Sequence, residues 1–236
     1  MISIQNLKFN YSSGDFQLDI SKFEIAGGEK VAVIGPSGSG KTTLLNLLAG
    51  IILPVQGSVI VDDVRVNELP DTGRRDFRIA TIGFVFQDFE LLDYLNVLDN
   101  ILHPYRITAA LGLNSEVKTR AADLAGEMGI GDKLKRRVND LSQGEKQRTA
   151  ICRAMLPLPK LILADEATGN LDPEVTLDIM ELFKGANARG TTIVMATHDR
   201  SLIRQFPRRV VSLDAGSLAM DDMPLFRGQT EATGQS

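Results

Sequence analysis

Residues 2–34 alternate between apolar and polar positions in short runs, which is the pattern of β-strands. Turn-forming residues interrupt the alternation at 12–14 and again at 27–28. A later run, at 57–66, has two aspartates at its centre and predicts a hairpin, and residues 79–86 predict a further strand. The pattern therefore predicts that the chain begins with a sheet.

From residue 88 the spacing of the apolar residues changes to that of amphipathic helices. Asn96 can cap a first helix, and Ser115 can cap a second that ends near Gly129. We therefore predict a mostly helical insertion over residues 88–155.

Strand patterns return at residues 161–164, 191–197 and 209–213, with a helix predicted over 173–188 between the first two. Strands that alternate with helices form largely parallel sheets, and such sheets bind ligands at the carboxyl ends of their strands. The fold class that this order predicts is α/β, followed by a polar tail over residues 227–236.

Composition narrows the class of protein. With 43% hydrophobic and 24% charged residues among 236, the chain suits a soluble globular domain with a substantial core. A net charge of −4 argues against general nucleic-acid binding, and the single cysteine, Cys152, excludes an internal disulfide. We find neither an apolar segment of membrane-spanning length nor a signal peptide, so we expect a cytoplasmic protein that reaches a membrane only through another subunit.

A glycine-rich segment between the strand at 31–34 and the helix at 43–49 fits the pattern G-x-x-x-x-G-K-[ST] at every specified position. The segment comprises Gly35, Pro36, Ser37, Gly38, Ser39, Gly40, Lys41 and Thr42. Its glycines let successive backbone N–H groups turn inward around a phosphate, and the next helix adds the partial positive charge of its N-terminus. A Gly/Ser turn before a helix is the alternative, but the strand–loop–helix context favours a site for a nucleoside triphosphate.

Five side chains have the chemistry that a magnesium–triphosphate complex needs. Lys41 can reach the β- and γ-phosphates, the Thr42 hydroxyl can bind Mg²⁺, and Thr43 can contact the α-phosphate. Adjacent carboxylates, Asp165 and Glu166, follow a later apolar strand. Asp165 can hold Mg²⁺ directly or through water, and Glu166 can act as general base for the attacking water. For this pair the alternative is an acidic cap at the start of a helix.

A second candidate phosphate site lies at residues 141–145. Ser142 and Glu145 fit the S-x-x-E capping box, which would start a helix. The same helix start is an anion site, at which the Ser142 hydroxyl and the Gly144 N–H can meet a phosphate. The two interpretations are compatible, and Gln143 lies between these residues and belongs to the same candidate site.

These motifs, in this order, resemble those of the nucleotide-binding subunit of an ATP-binding cassette (ABC) transporter, over about residues 1–225. Residues 141–145 are similar to the family's signature sequence, in its LS-x-GE form. The resemblance implies a P-loop NTPase fold with a mostly parallel, RecA-like core sheet, an N-terminal antiparallel β subdomain and an inserted α-helical signature subdomain. It implies one domain over residues 1–226, with 1–87 and 156–226 in the core and 88–155 in the helical subdomain.

The resemblance also implies roles for four residues outside those segments. Gln87 matches the Q-loop glutamine, which senses Mg²⁺ and water, and His198 matches the switch histidine that contacts the γ-phosphate. Tyr11 lies where the family has an aromatic ring that stacks on adenine, a contact of roughly 1–3 kcal/mol by analogy with base stacking. Asp172 matches the D-loop. Each residue also has a plainer alternative, as a polar strand end, a cap, a half-buried strand residue or a helix N-cap, respectively.

The resemblance further implies that two copies pair head to tail, because the signature of one copy cannot reach its own phosphate loop. Each ATP, with Mg²⁺, would lie between the loop of one copy and Ser142–Glu145 of the other, and hydrolysis would release the pair. The expected function is that of an ATPase that drives an integral membrane permease from the cytoplasmic side of the inner membrane, with no nucleic acid as partner.

Details of the motifs indicate a subgroup. Residues 82–87, 141–145 and 169–172 look similar to those of ATPases in lipoprotein-release and macrolide-efflux systems, whose membrane partners have large extracytoplasmic domains. The expected work is export, extraction of a lipid or lipoprotein, or mechanotransmission, although Gln143 departs from the lipoprotein-release pattern. The alternatives are a cell-division regulator with a membrane partner and a soluble cassette protein of translation or repair. Apolar residues near 87–98 suit a contact with the membrane partner, or packing at the subdomain boundary.

Overall fold

The protein folds around one sheet, which has ten strands in the residues that the structure describes. A computed structural model describes residues 1–12, 14, 16–167, 173–199 and 209–222. The strands are β1 (Ile2–Asn10), β2 (Gln17–Ile25), β3 (Lys30–Ile34), β4 (Gln56–Val61), β5 (Val64–Arg65), β6 (Ile82–Val85), β7 (Leu161–Asp165), β8 (Thr192–Ala196), β9 (Arg209–Asp214) and β10 (Ser217–Asp222). The α-helices of this part of the chain are α1 (Lys41–Leu48), α2 (Asp71–Thr81), α3 (Val97–Leu102), α4 (Ser115–Glu127), α5 (Gln143–Met155) and α6 (Pro173–Ala188).

The strand order, β5-β4-β1-β2-β10-β9-β3-β8-β7-β6, divides the sheet into two halves. Strands β9, β3, β8, β7 and β6 pair in parallel, whereas β1 pairs antiparallel with β2 and β4. The parallel strands β7 and β8 are buried at every residue, while β2 mixes exposed and buried positions. Full burial is typical of parallel strands and one-sided burial of antiparallel strands. The predicted α/β fold, mostly parallel with an N-terminal antiparallel part, is therefore confirmed.

The two faces of the parallel strands enter two separate apolar cores. Ile162 and Ala164 of β7 belong to a core shared with α3, α4, α5 and α6. Leu161 and Leu163 belong to a core shared with α1 and the antiparallel strands. Successive side chains of a strand point to opposite faces, so a strand covered on both sides must be apolar throughout. The continuous apolar runs in the sequence therefore mark the centre of the sheet.

The structure confirms a predicted hairpin turn, a predicted helix cap and the predicted limits of a helix. The hairpin predicted at 57–66 is formed by β4 and β5, and the turn residues Asp62 and Asp63 have the left-handed φ of a tight hairpin turn. Asn96 caps α3 by accepting a hydrogen bond from the Asp99 N–H at 2.7 Å. Helix α6 begins and ends where the sequence predicts it.

Two predictions are wrong in detail. Helix α4 is present, but its cap is Asn114, whose side chain accepts a hydrogen bond from the Val117 N–H, and Ser115 is its first helical residue. The strand predicted over 79–86 starts only at residue 82, because the preceding residues form α2. Helix α2 has no buried residue, and Phe77 and Ile79 are its only large apolar side chains, so few apolar positions mark these residues as a helix.

Some expectations concern parts of the chain that the structure does not describe or does not test. The predicted D-loop at 169–172 and the polar tail at 227–236 lie outside the described residues. The limits of the helical subdomain stay a prediction, although α3, α4 and α5 all lie within residues 88–155. In the described residues we find no helix with the length and apolar content that crossing a membrane requires.

Helix α6 offers a matched pair of side chains for a test of the core. Ile179 is fully buried, whereas Leu177, which has the same number of atoms, is 56% exposed. We expect Ile179→Ala to lower the free energy of unfolding of the nucleotide-free protein by about 2–5 kcal/mol, because it leaves a cavity. Leu177→Ala should lower it by less than about 0.5 kcal/mol. Urea unfolding followed by circular dichroism measures both, and equal losses would contradict the inward orientation of Ile179.

Candidate functional site

The carboxyl ends of three parallel strands meet at one edge of the sheet. Val33 of β3 and Asp165 of β7 both pair with Ala196 of β8, so the three strands end at the same level. The segments that follow the strands must therefore emerge side by side. They are the glycine-rich loop after β3, Glu166 after β7 and His198 after β8.

The glycine-rich loop joins β3 to α1 with a backbone shape that favours glycine. Gly35, Gly38 and Gly40 have φ values of +154°, +78° and +105°. A Cβ atom on Gly35 would lie 2.3 Å from the carbonyl oxygen of Leu213, so this position has no room for a side chain. Gly40 caps α1 without a side-chain hydrogen bond, which leaves N–H groups of the first helical turn available to an anion.

Lys41 is folded back onto its own loop. Its Nζ donates to the carbonyl oxygens of Gly35 at 2.9 Å and Pro36 at 3.0 Å, and the residue is buried. The positive charge therefore lies against the loop, where a bound phosphate would need it. Ser39 is buried too and does not line the cleft that the loop borders.

Asp165 and Thr42 contact each other beside the loop. Asp165 is buried, and the side chain of Thr42 interacts with its carboxylate. Burial raises the pKa of Asp165, and the neighbouring charge of Glu166 acts in the same direction, whereas the side chain of Thr42 and the charge of Lys41 act against it. A hydroxyl next to a buried carboxylate offers the oxygen ligands that Mg²⁺ prefers. These two residues could hold the ion, which would offset the burial of the carboxylate charge.

Glu166 and His198 contact each other at the same edge of the sheet. Glu166 Oε1 lies 3.2 Å from His198 Nδ1. Glu166 has a φ of +47°, uncommon for a residue other than glycine, and its N–H donates to the Ala196 carbonyl oxygen at 3.0 Å. Such backbone strain persists only where neighbours fix it, and it is frequent at functional sites. The carboxylate is thus placed beside the glycine-rich loop on a fixed backbone, as a general base requires.

A cleft of about 680 Å³ joins these parts. Its walls include the residues predicted to bind a nucleotide around the loop and the three residues predicted to act in hydrolysis, namely Tyr11, Gly35, Pro36, Ser37, Gly38, Gly40, Lys41, Thr42, Thr43, Gln87, Glu166 and His198. The structure therefore brings together residues from five distant parts of the chain. It does not bring in the segment Ser142–Glu145, which is absent from the walls of this cleft.

Tyr11 and Phe16 form the aromatic wall of the cleft. The Tyr11 hydroxyl lies 3.0 Å from Thr43 Oγ1, and its ring packs edge-on against Phe9 at a centroid distance of 4.8 Å. The Phe16 ring is 6.1 Å from that of Tyr11. Phe16 is not among the residues predicted to bind the nucleotide, because its signal in the sequence is weak: it is an aromatic residue shortly after Tyr11 and just before an alternating strand.

The loop after β6 is held by polar side chains from two helices. Arg153 of α5 donates to the carbonyl oxygens of Phe89 and Glu90, both of which have left-handed φ values. Burial lowers the pKa of Arg153 to about 10, and the two carbonyl oxygens accept hydrogen bonds from this half-buried charge. Asn100 of α3 is fully buried and bonds both the N–H and the carbonyl of Leu92. No sequence motif reveals Arg153 or Asn100 as loop anchors, because each contact depends on the folded arrangement.

Ser142 starts α5 with the predicted capping box. Its Oγ accepts a hydrogen bond from the Glu145 N–H at 3.2 Å, and Glu145 Oε2 accepts one from the Ser142 N–H at 2.7 Å. The box uses a lone pair of the Ser142 hydroxyl, so the hydroxyl proton stays available to an acceptor. Ser142 and Gln143 are exposed, Gly144 is half-buried, and Lys133 Nζ lies 4.0 Å from Glu145 Oε1. The start of α5 is therefore exposed and outside the cleft, and its role as an anion site stays a prediction.

Comparisons with known proteins agree with this arrangement. The sequence profile of the family described as ABC transporter matches residues 18–169. The cell division ATP-binding protein FtsE of Mycobacterium tuberculosis is 40% identical over 225 residues, which cover 94% of this chain and 96% of that protein. The lipoprotein-releasing system ATP-binding protein LolD of Syntrophotalea carbinolica is 37% identical over 218 residues, 91% of this chain and 95% of that protein.

A solved structure has the same fold. It is the dimeric post-hydrolysis state of an ATP-binding cassette bound to ADP and Pi, with a TM-score of 0.87. The two chains are 33% identical, and the match covers 94% of this chain and 98% of that chain. The expected P-loop NTPase fold is thereby confirmed.

Gly35→Ala and Gly38→Ala separate steric exclusion from backbone strain. Both glycines have positive φ, but a Cβ on Gly38 would meet nothing within 4 Å. In the nucleotide-free protein we expect Gly38→Ala to lower the free energy of unfolding by about 1–2 kcal/mol through strain. Gly35→Ala should lower it by about a further 1–3 kcal/mol, because its methyl group meets the Leu213 carbonyl. Urea unfolding compares the two variants, and equal losses would contradict the close approach at Gly35.

Proposed function

The chain belongs to the ABC transporter family, and from this premise we propose that it is the ATP-hydrolysing subunit of a membrane complex. Two copies pair head to tail and enclose two ATP molecules, each bound with Mg²⁺. The observation that carries the proposal is the separation of two phosphate-directed helix starts, since α1 begins in the cleft and α5 begins outside it. A second copy can bring the start of its α5 to each cleft.

The similar cassette whose dimeric structure contains ADP and Pi supports this pairing. The Ser142 hydroxyl proton, with the N–H groups of Gln143 and Gly144, provides the donors that the partner's nucleotide would meet. Glu145 acts by fixing the helix start, because its carboxylate is engaged in the capping box. Asp172, outside the described residues, stays a predicted nucleotide-binding residue of the D-loop.

Within one copy, the cleft supplies the other half of the nucleotide site. The backbone of the glycine-rich loop and Lys41 hold the β- and γ-phosphates, Thr43 contacts the α-phosphate, and the Tyr11 ring stacks on adenine. Thr42 and Asp165 would hold Mg²⁺, and Gln87, which lines the same cleft, would contact the ion and the water. When bound, the ion neutralises charge on the β- and γ-phosphate oxygens.

Hydrolysis uses Glu166 and His198, which follow the ends of β7 and β8. Glu166 accepts a proton from the attacking water, and the oxygen of that water forms a bond to the γ-phosphorus as the bond to ADP breaks. His198, 3.2 Å from Glu166, can turn its exposed ring to the γ-phosphate. Once the products leave, the two copies are no longer bridged, so hydrolysis leads to release of the dimer and supplies the conformational cycle.

That cycle drives an integral membrane permease, for which we propose a large extracytoplasmic domain. The ATPase binds the permease at the cytoplasmic side of the inner membrane, and the work is export, extraction of a lipid or lipoprotein, or mechanotransmission. Similarity to LolD, named for a lipoprotein-releasing system, supports this assignment. Similarity to FtsE supports a second candidate, in which the same cycle acts on a membrane partner in cell division.

Glu166→Gln tests the assignment of the base. The amide keeps the size of the side chain but cannot accept the proton, so we expect ATP hydrolysis to fall by about 10²–10⁴-fold. ATP binding should persist, and the variant should accumulate as a dimer only when ATP is present. Phosphate release and size-exclusion chromatography measure the two effects. Glu116→Gln, the same change on the exposed start of α4, is the control, and near-normal turnover by Glu166→Gln would refute the base assignment.

Tyr94→Glu tests the surface that we assign to the membrane partner, residues 87–98. Tyr94 is 70% exposed, while Phe89, Leu91 and Leu92 are half-buried. We expect about a tenfold or larger loss of permease co-purified from solubilised membranes, because a charge replaces an aromatic contact. ATP hydrolysis by the isolated protein should not change. Val55→Glu, at a residue 64% exposed on the opposite half of the sheet, is the control. Equal recovery of the permease with both variants would refute the assignment of this surface to the membrane partner.

A further inference from the structure

Gln147 links α5, the helix that Ser142 starts, to the end of β7. It lies about one and a half turns beyond Ser142. The residue is only 2% exposed, and its Nε2 donates to the carbonyl oxygen of Ala167 at 2.5 Å. Ala167 is buried and directly follows Glu166. One side chain thus connects the helix that Ser142 starts to the residue next to the proposed base.

The contacts of helix α5 favour its movement as a rigid body. The capping box fixes its start, and Thr149 Oγ1 donates back to the Glu145 carbonyl oxygen at 2.8 Å. Ala150 and Ile151 are fully buried, and Ile151 packs in the core shared with the other helices. A displacement of the Ser142 turn is therefore transmitted to the amide of Gln147 and not absorbed within the helix.

Glu166 is placed to respond to such a displacement. Its backbone is in the left-handed region and is held by the Ala196 carbonyl on the β8 side. On the other side, the Ala167 carbonyl is held by Gln147. The Glu166 backbone lies between these two hydrogen-bonded contacts. If the Ala167 carbonyl moves while the Ala196 carbonyl stays in place, the Glu166 side chain changes its direction in the cleft.

The other end of the Gln147 amide shows that packing alone does not account for this residue. Its Oε1 is buried and has no hydrogen-bond partner in the part of the chain that the structure describes. A buried acceptor without a donor is unfavourable, so an apolar side chain of similar size would pack here without that loss. The contact with Ala167 is what distinguishes glutamine from such a residue.

We propose that Gln147 is a positioning residue that orients Glu166 according to whether the partner's nucleotide contacts Ser142 of the same subunit. This inference rests on the head-to-tail dimer proposed above. Nucleotide in the partner's cleft displaces the start of α5, and Gln147 carries the displacement to Ala167. Each cleft therefore reaches its hydrolytic geometry only when the other cleft is filled, and ATP hydrolysis is cooperative.

Gln147→Met tests the link, because methionine keeps the length of the side chain and removes the donor. We expect the Hill coefficient for ATP hydrolysis, which can reach the number of sites, to fall to about 1. The kcat should fall by about 10- to 100-fold through misplacement of Glu166, with half-saturation by ATP changed less than about twofold. Cys152→Ala is the control: it changes a fully buried side chain of α5 whose Sγ contacts the Leu124 carbonyl of α4 and not Ala167.

Gln147→Glu adds a readout that a merely structural role would not move, and it serves if the methionine variant fails to fold. An ionised carboxylate repels the Ala167 carbonyl, whereas a protonated one donates to it as the amide does. Burial raises the pKa of a carboxyl group at this position. The kcat of this variant, relative to the unaltered protein, should therefore rise as the pH falls from about 8 to about 5.5.

The outcomes separate this inference from the function on which it rests. If Glu166→Gln dimerises with ATP, but the Gln147 variants keep the kcat and Hill coefficient of the unaltered protein, the link is refuted and the proposed function stands. A lower kcat with an unchanged Hill coefficient also refutes the link, because Gln147 would then serve its own cleft alone. If Glu166→Gln does not dimerise with ATP, the dimer and the link fail together.

Discussion

The level ending of three parallel strands is the constraint on which the rest of the structure depends. β7 is apolar on both faces up to Ala164, so its register is fixed by two cores at once. A slip of one residue would exchange the faces and place Asp165 away from Thr42. The register holds Val33, Asp165 and Ala196 side by side. The glycine-rich loop, Glu166 and His198, which follow these three strands, must therefore lie close together.

The sequence predicts those parts of this arrangement that depend on residues close to one another in the chain. The glycine-rich loop is recognisable because positive φ values and the approach of Gly35 to a carbonyl exclude other residues there. The capping box at Ser142 is a contact between residues three apart, and the apolar run of β7 reports burial on both faces. For the same reason the order of these motifs was enough to predict the family and the fold.

Contacts between distant segments could not be predicted. Arg153 and Gln147 are polar residues within a helix pattern, and nothing in their spacing shows that one holds the loop after β6 and the other holds Ala167. Phe16 joins the cleft wall only once the antiparallel strands are in place. Even a local choice can fail when two good candidates are adjacent, as with Asn114 and Ser115, since both residue types cap helices.

Lys41, Asp165 and Glu166 each have a partner within the same copy, and this bears on how a cycle can be driven. Lys41 donates to loop carbonyls, Asp165 contacts Thr42, and Glu166 contacts His198. A triphosphate must replace such internal contacts with its own, and in the proposed dimer it also contacts the second copy. A ligand shifts an equilibrium only by its differential affinity for the two states. In the proposed dimer that difference lies at the start of α5, so the exposure of Ser142 in one copy is the feature that makes closure depend on ATP.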